Sequence, residues 1–364
     1  MSSAARDLHE NVCCPRLSPG QFRYSVGAVP LAEKTLIAQI RRMAAAGGSQ
    51  NLAGRSARAT RSHPSVVAGI GDDCAVLGLA PGRESLVTTD FTLEGIHFRR
   101  DWHPPESVGH RCLARGLSDI AAMGGEPVAA LLSLALPRDL PQVWVGRFLR
   151  GLIRLAEKFG VTLAGGDTAE SPNGILADIM VVGSVPRGKA VLRSGARPGD
   201  RIYVSGALGG SAAAVQQMSK NSKRKLNPAE NSRHFFPEPR VELGRILRER
   251  GLASAMIDTS DGLSTDMAHI CEESGVGAEV EGELIPRASV GRPAHEVDLE
   301  LALHGGEDYE LLFTVPPRKR VPSRIGRVPI TQIGHITRNR KVFLRNRHGV
   351  GYELKPRGWE HFRS

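Results

Sequence analysis

Short apolar runs and longer stretches with apolar residues at helical spacing interleave along this chain. Leu36, Ile37, Ile40 and Met43 share one face of a helix predicted over residues 31–45, and the Gly/Ser/Arg stretch at 47–62 reads as a loop. Beyond it the pattern predicts a strand at 85–89, a helix over 106–123, a buried strand at 128–136, an amphipathic helix over 143–159 and a strand at 175–185. Arg197-Pro198-Gly199-Asp200 is turn chemistry, and the character of the chain changes there. A domain boundary is therefore placed near 190, separating 31–190 from 191–364. The second half predicts strands at 201–204, 255–257 and 309–315 and helices over 210–218, 239–250 and 261–273. Strands and helices mingle without a regular strand-helix-strand repeat, so an α+β fold is expected rather than a doubly wound sheet.

Charge changes the picture at two places. The net charge is +10, but residues 1–62 carry nine Lys and Arg against Asp7, Glu10 and Glu33, and residues 219–233 carry five against Glu230. Those segments hold the whole excess. The basicity thus belongs to a tail, 1–30 of which is aperiodic and expected to be disordered, and to a polar insert at 219–233 whose expected role is solvation. No aromatic-interleaved basic stripe or zinc-finger spacing accompanies the charge, so no nucleic-acid partner is expected. Five cysteines without C-x₂-C spacing fit reduced thiols. The N-terminus lacks a signal-peptide core and no apolar run approaches the ~20 residues of a membrane span, so a soluble, cytoplasmic protein is expected.

The informative chemistry is aspartate at the ends of apolar, strand-like runs, next to glycine. G-I-G-D-D (69–73), T-T-D (88–90), L-S-D (117–119), G-G-D (165–167) and D-T-S-D-G (258–262) share this form. Gathered carboxylates repel one another unless cations sit between them, and hard oxygen ligands beside glycine suit Mg²⁺ shared with polyphosphate. One aspartate is cheaply explained as a helix N-cap, and Ser118-Asp119 and Ser260-Asp261 read as element boundaries where caps occur. A set of six or more is not so explained. No G-x-x-x-x-G-K-[ST] loop and no protein-kinase motif set is present, so a nucleotide needs another cradle.

Seven motifs in order resemble the thiamine-monophosphate kinase family: G-I-G-D-D-C-A-V (69–76), T-T-D-F-T-L-E-G-I-H-F (88–98), L-S-D-I-A-A-M-G (117–124), L-A-G-G-D-T (163–168), R-S-G-A-R-P-G-D (193–200), I-D-T-S-D-G-L-S-T-D (257–266) and G-G-E-D-Y-E-L-L-F (305–313). The resemblance covers roughly 31–364. It implies a two-domain α+β fold shared with aminoimidazole ribonucleotide synthetase, selenophosphate synthetase and a hydrogenase maturation factor, with the N-terminal domain pairing into a homodimer. The implied activity is phosphorylation of thiamine monophosphate by ATP. Matched by motif, Asp73, Thr88, Thr89, Asp90, Asp119, Asp167, Asp258 and Asp261 would ligate several Mg²⁺ ions. Gly166, Asp167, Arg193 and Ser260 would meet ATP; His97, Glu307 and Trp359 would meet thiamine monophosphate. The acceptor is already an anion, so no covalent nucleophile or general base is expected.

The bland alternatives are an aromatic plug for Trp359, a surface ion pair for Arg193 and a strand-ending hydrogen bond for His97. A paralogue with another acceptor and a catalytically silent nucleotide-binding module are the competing functions. The chain departs from the family where Arg115-Gly116 precedes L-S-D, since the family commonly has Asn there. That puts a polar contact near Asp119 in question.

Overall fold

The computed structural model describes residues 39–40, 42–44, 63–68, 74–220 and 225–358; Asp73, Trp359, Cys13, Cys14 and the tail 1–30 lie outside them. Of the helix expected over 31–45, residues 39–40 and 42–44 are described and helical.

The first lobe is a four-stranded sheet covered on one face by two long helices. A hairpin of β1 (Val66–Ala68) and β2 (Val76–Leu77) precedes β3 (Arg83–Leu93), α1 (Pro105–Ala122), β4 (Glu126–Leu136), α2 (Gln142–Phe159), β5 (Thr162–Glu170) and β6 (Leu176–Pro186). The sheet order is β3-β6-β4-β5, antiparallel except for β4 beside β5. Pro105 opens α1, where a missing N–H costs nothing, and left-handed Gly160 ends α2. Val145, Phe148, Leu149, Leu152 and Ala156 recur at three- and four-residue spacing in α2 and are buried, while β4 has apolar residues on both faces.

The second lobe comprises β7 (Arg201–Ser205), α3 (Gly210–Lys220), α4 (Ser232–Phe235), α5 (Val241–Glu249), β8 (Ala255–Asp258), α6 (Leu263–Ser274), β9 (Gly277–Glu281), β10 (Ser289–Val290), β11 (His295–Glu296), α7 (Leu299–His304), β12 (Leu311–Val315), β13 (Arg324–Ile325), β14 (Val328–Thr337), β15 (Val342–Arg345) and β16 (Gly351–Glu353). Its main sheet runs β16-β15-β9-β14-β7-β12-β8, with β13 paired to β14. The α+β expectation holds. One apolar core runs from α1 and β6 (Leu113, Leu117, Ile179) into β8 and β12 (Met256, Leu311, Phe313), so the lobes are packed together rather than tethered. The end of β8 is thereby held beside α1.

Two expectations need correction. Residues 219–233 are not purely a solvated insert: Leu226 is buried with Trp102, Ala214, Met218 and Phe235, and Arg233 reaches the carbonyl of Ala207. Asp119 lies within α1 and not at a boundary, and the N-cap of α6 is Gly262 (φ 112°) with no side-chain cap hydrogen bond. Helix capping therefore explains neither Asp119 nor Asp261.

Candidate functional site

Strand alternation decides which part of T-T-D reaches the site. Along β3, Thr88, Asp90 and Thr92 fall on one face, while Val87, Thr89 and Phe91 fall on the other. Thr88 Oγ1 donates to Asp119 Oδ2, and the negative charges of Asp90 and Asp119 act on each other. From the other lobe, Asp258 at the end of β8 is 2% exposed and accepts a 2.7 Å hydrogen bond from Ser118 Oγ. Three carboxyls from β3, α1 and β8 are thus neighbours. Burial and then the charge of Asp119 push Asp90 and Asp258 up to about 7, and burial raises Asp119 as well. Arg193, otherwise exposed, supplies a positive potential to Asp119 and Asp258.

The remaining residues predicted for this half are placed differently. Thr89 faces away and donates at 2.7 Å to Asp178 Oδ1 on β6. Asp167 is exposed on edge strand β5, with β4 and β6 between it and β3; its Oδ1 accepts the Thr168 N–H at 2.8 Å. Gly166 beside it has φ 145°, and a Cβ there would stand 1.8 Å from the Leu132 carbonyl oxygen, so that position tolerates only glycine. Ser260 and Asp261 lie in the loop between β8 and α6, where the Ser260 carbonyl accepts the Glu307 N–H at 2.8 Å.

That last bond joins the acidic group to G-G-E-D-Y-E. Glu307 (φ 64°) and Tyr309 (φ 51°) both adopt left-handed backbone that non-glycine residues seldom occupy. The strain is held by Tyr309 N–H to the Thr259 carbonyl at 3.0 Å, and by Asp308, whose carboxylate accepts the Gly209 N–H at 2.6 Å and the Ser211 N–H at 3.3 Å. Glu307 is thereby turned toward α1, where Arg111 Nη2 meets its Oε2 at 2.5 Å and Arg115 Nη1 lies 3.6 Å from its Oε1. Burial would raise this carboxyl, but Arg111, Arg115 and His97 together hold it down to about 2. Arg111 Nη2 also donates to the His97 carbonyl at 3.3 Å, so Glu307 and His97 are brought together. The His97 Nδ1 accepts the Leu93 N–H at 3.0 Å.

Behind Arg111 stands a buried pair of imidazoles. His103 Nε2 is 2.9 Å from His234 Nε2, and His234 Nδ1 is 2.9 Å from Ser211 Oγ. Burial, and then Arg111, lower both pKa values, to about 3 for His103. Neutral imidazoles beside a guanidinium avoid like-charge repulsion.

The domain descriptions of the AIR synthase related protein family match this chain in both halves, the N-terminal domain at residues 71–185 and the C-terminal domain at 197–346. The chain is 37% identical over 319 residues to the thiamine-monophosphate kinase of Salmonella typhimurium, covering 84% of this chain and 95% of that protein. The chain belongs to the thiamine-monophosphate kinase family. Among solved structures, it resembles the thiamine-monophosphate kinase of Stenotrophomonas maltophilia with 34% identity and a TM-score of 0.69, over 77% of this chain and 91% of that one. AaThiL complexed with AMPPCP and TMP is likewise 34% identical, with a TM-score of 0.68 over 78% and 89% of the two chains.

Against the family pattern, Gly116 leaves no room for a side chain in this backbone: a Cβ would stand 2.6 Å from Val181 Cγ2. Sequence reasoning passed over Arg111 and Arg115, although Arg111, Arg115 and Asp119 recur at four-residue spacing and so form one stripe of α1. The carboxyl group suits a cation shared with phosphate rather than a closed protein cage. Among the described residues no three His, Cys, Asp or Glu side chains converge on a single ion position. Mg²⁺ commonly takes only one or two carboxylates and completes its shell with water and phosphate oxygens. Burial and the neighbouring charge of Asp119 both disfavour ionised Asp90 and Asp258, and a cation shared with phosphate would relieve both, so the residues fit such an ion.

Proposed function

We propose that this chain catalyses ATP-dependent phosphorylation of thiamine monophosphate to thiamine diphosphate. The observation that carries the reading is the junction at which Asp90, Asp119 and Asp258 from the two lobes meet the loop that presents Glu307, in a chain similar over 84% of its length to a thiamine-monophosphate kinase. The bond from the γ-phosphorus of ATP to its bridging oxygen breaks, a bond to an oxygen of the acceptor phosphate forms, and ADP leaves. Two polyanions must approach for this to happen, so charge neutralisation and alignment are the catalytic problem. Several Mg²⁺ ions, held by Asp90, Asp119 and Asp258 with Asp73 outside the described residues, would supply the positive charge that phosphates require.

The chain's own residues do the rest. Thr88 and Ser118 orient the carboxyls of Asp119 and Asp258 through hydrogen bonds. Arg193 adds positive potential on the side proposed for ATP, which Gly166, Asp167 and Ser260 are also proposed to meet, with Asp261 near a further ion. Arg111 fixes Glu307 and His97 in one orientation, the arrangement proposed to receive the thiamine portion, with Trp359 outside the described residues stacking on its cationic ring. We also propose a homodimer in the cytoplasm. The uncovered face of the four-stranded sheet exposes Val87, Phe91 and Met180, 62%, 55% and 39% accessible, which together form an apolar patch that a second copy would cover.

The test is ADP release from ATP with Mg²⁺, with and without thiamine monophosphate. Stimulation by thiamine monophosphate and poor stimulation by unphosphorylated thiamine are expected. A protein that neither responds to thiamine monophosphate nor binds it beside an ATP analogue belongs with a paralogous acceptor instead. Sedimentation of the wild type against Phe91→Asp tests the pairing face.

A further inference from the structure

Two arginines one turn apart on α1 use their donors very differently. Arg111 is engaged throughout, with hydrogen bonds to Glu307 Oε2, the His97 carbonyl and His234. Arg115 is not. Its Nη1 lies 3.6 Å from Glu307 Oε1 and its Nε 3.8 Å from Asp90 Oδ1, both ion pairs too long for hydrogen bonds, and it makes no hydrogen bond to another described residue. Its side chain is only 18% exposed, and Tyr309, whose buried hydroxyl has no hydrogen-bond partner among the described residues, lies within its electrostatic reach.

A guanidinium carries five donors in a planar fork that matches phosphate oxygens in pairs, and half-buried Arg115 has none of its side-chain donors hydrogen-bonded to another described residue, which leaves the fork available to an incoming anion. Its position is as telling as its state. It stands between a carboxyl of the acidic group, Asp90, and the carboxyl proposed to face the substrate, Glu307. An anion lying between those two regions is the acceptor phosphate itself. Neither carboxylate holds Arg115 tightly, so a phosphate arriving there gains hydrogen bonds without first breaking strong ones.

We propose that Arg115 is a substrate-contacting residue that donates to the phosphate oxygens of the acceptor and selects a phosphorylated over an unphosphorylated acceptor. This inference rests on the phosphorylation reading above. It also accounts for the departure at Arg115-Gly116, because a cationic donor one residue earlier on the helix takes the place of a polar contact near Asp119.

The experiment compares wild type with Arg115→Met and Arg115→Lys in steady-state kinetics. Equilibrium binding of thiamine monophosphate and of thiamine is measured alongside, with Mg²⁺ and a non-hydrolysable ATP analogue. Arg115→Met should raise the KM for thiamine monophosphate ~10- to 100-fold, as loss of a charge-assisted bidentate contact does. The KM for ATP should move less than ~3-fold. Thiamine itself should bind the variant as it binds wild type, so the preference for the phosphorylated form collapses; a purely structural role would weaken both together. Arg115→Lys, which keeps the charge but not the fork, should fall between the two and provides the measurement if the Met variant does not fold.

Equal loss of thiamine and thiamine monophosphate binding overturns the proposal. So does an unchanged KM with a lower Mg²⁺ requirement, which would make Arg115 merely a counter-ion of Asp90. A wild type unresponsive to thiamine monophosphate would overturn the phosphorylation reading and this inference with it, whereas an active wild type matched by Arg115→Met overturns this inference alone.

Discussion

The two ends of the candidate site are both acidic and both partly buried, yet they have opposite electrostatics. At the end formed by β3, α1 and β8, Asp90, Asp119 and Asp258 face one another and are driven up, two of them to about 7. At the other end Glu307 is equally enclosed but is held down to about 2 by Arg111 and Arg115. Burial acts in the same direction on both, so the difference is whether cations come with the fold. The Glu307 end is complete as folded and suits fixed orientation of a ligand. The aspartate end is incomplete until positive charge arrives, which suits a place where metal and phosphate are bound together.

Substitution at the incomplete end should hurt chemistry and spare the fold. Asp119→Asn keeps an acceptor for Thr88 but removes a charge, and turnover should fall at least ~10²-fold, as when a transition-state charge stabiliser is lost. The melting temperature of the metal-free protein should hold or rise, because repulsion with Asp90 and Asp258 is relieved. Near-normal turnover would show that the three carboxyls do not act as a unit. The complete end should respond in the reverse sense. Glu307→Gln leaves the guanidinium of Arg111, 4% exposed, without its carboxylate and should cost about 3 kcal/mol in urea unfolding. An unchanged urea midpoint would mean that Arg111 is adequately held by His97 and His234 alone.

The contrast was only half legible in the sequence. Helices α1 and α2 could be read to within a residue or two, because Pro105 and Gly160 mark a start and an end and the apolar spacing between is regular. Strands β9, β14, β15 and β16 were not foreseen: they are short or alternate weakly, and β14 contains Pro329 and Gly334, so pairing with neighbours defines them. Aspartates beside glycine were conspicuous, and Asp90, Asp119 and Asp258 do meet. Which side of β3 each residue faces separates Thr88 from Thr89, and that follows from register. The pairing of Arg111 with Glu307 spans 196 residues of chain and leaves no local signal. Nor does local composition show that Leu226 and Phe235, flanking a polar stretch, fold inward.

The two ends should also answer pH with opposite signs. Asp90 and Asp258 have folded pKa values above their unfolded ones, so their contribution to stability is fully present below about pH 4 and is lost as pH rises through about 7. Glu307 is depressed, so its contribution is present above its unfolded pKa near 4.3 and lost only as pH falls toward 2. Between pH 5 and 8 the aspartates are opposed by His103 and His234, whose lowered pKa values make their contribution grow as pH rises through the unfolded value near 6.5, so the response to Mg²⁺ rather than the bare trend isolates the aspartates. Saturating Mg²⁺ should stabilise the protein, and increasingly so as pH rises through about 7, where Asp90 and Asp258 lose their protons. Thermal melts at fixed ionic strength with and without Mg²⁺ measure this, and a metal-induced shift independent of pH would contradict it.

The smallest effect is expected from the positive charge that lies outside the candidate site. Lys220 and Lys225 are exposed, and the net charge of residues 219–233 is carried chiefly by these two with Lys223 and Arg224. Arg111 and Arg115 matter because they are enclosed beside carboxylates, where a charge interacts strongly; a solvated lysine is screened within a Debye length of about 8 Å at physiological salt. Replacing Lys220, Lys223, Arg224 and Lys225 together by Ser should therefore leave kcat and both KM values unchanged and shift stability by no more than ~0.5 kcal/mol. Arg233 is kept in this variant because it reaches the Ala207 carbonyl and lies 3.8 Å from Glu310. If the quadruple variant instead loses activity along with a salt-sensitive affinity for nucleic acid, then the insert is a binding surface, and the distinction between enclosed and solvated charge does not divide function from bulk solvation in this protein.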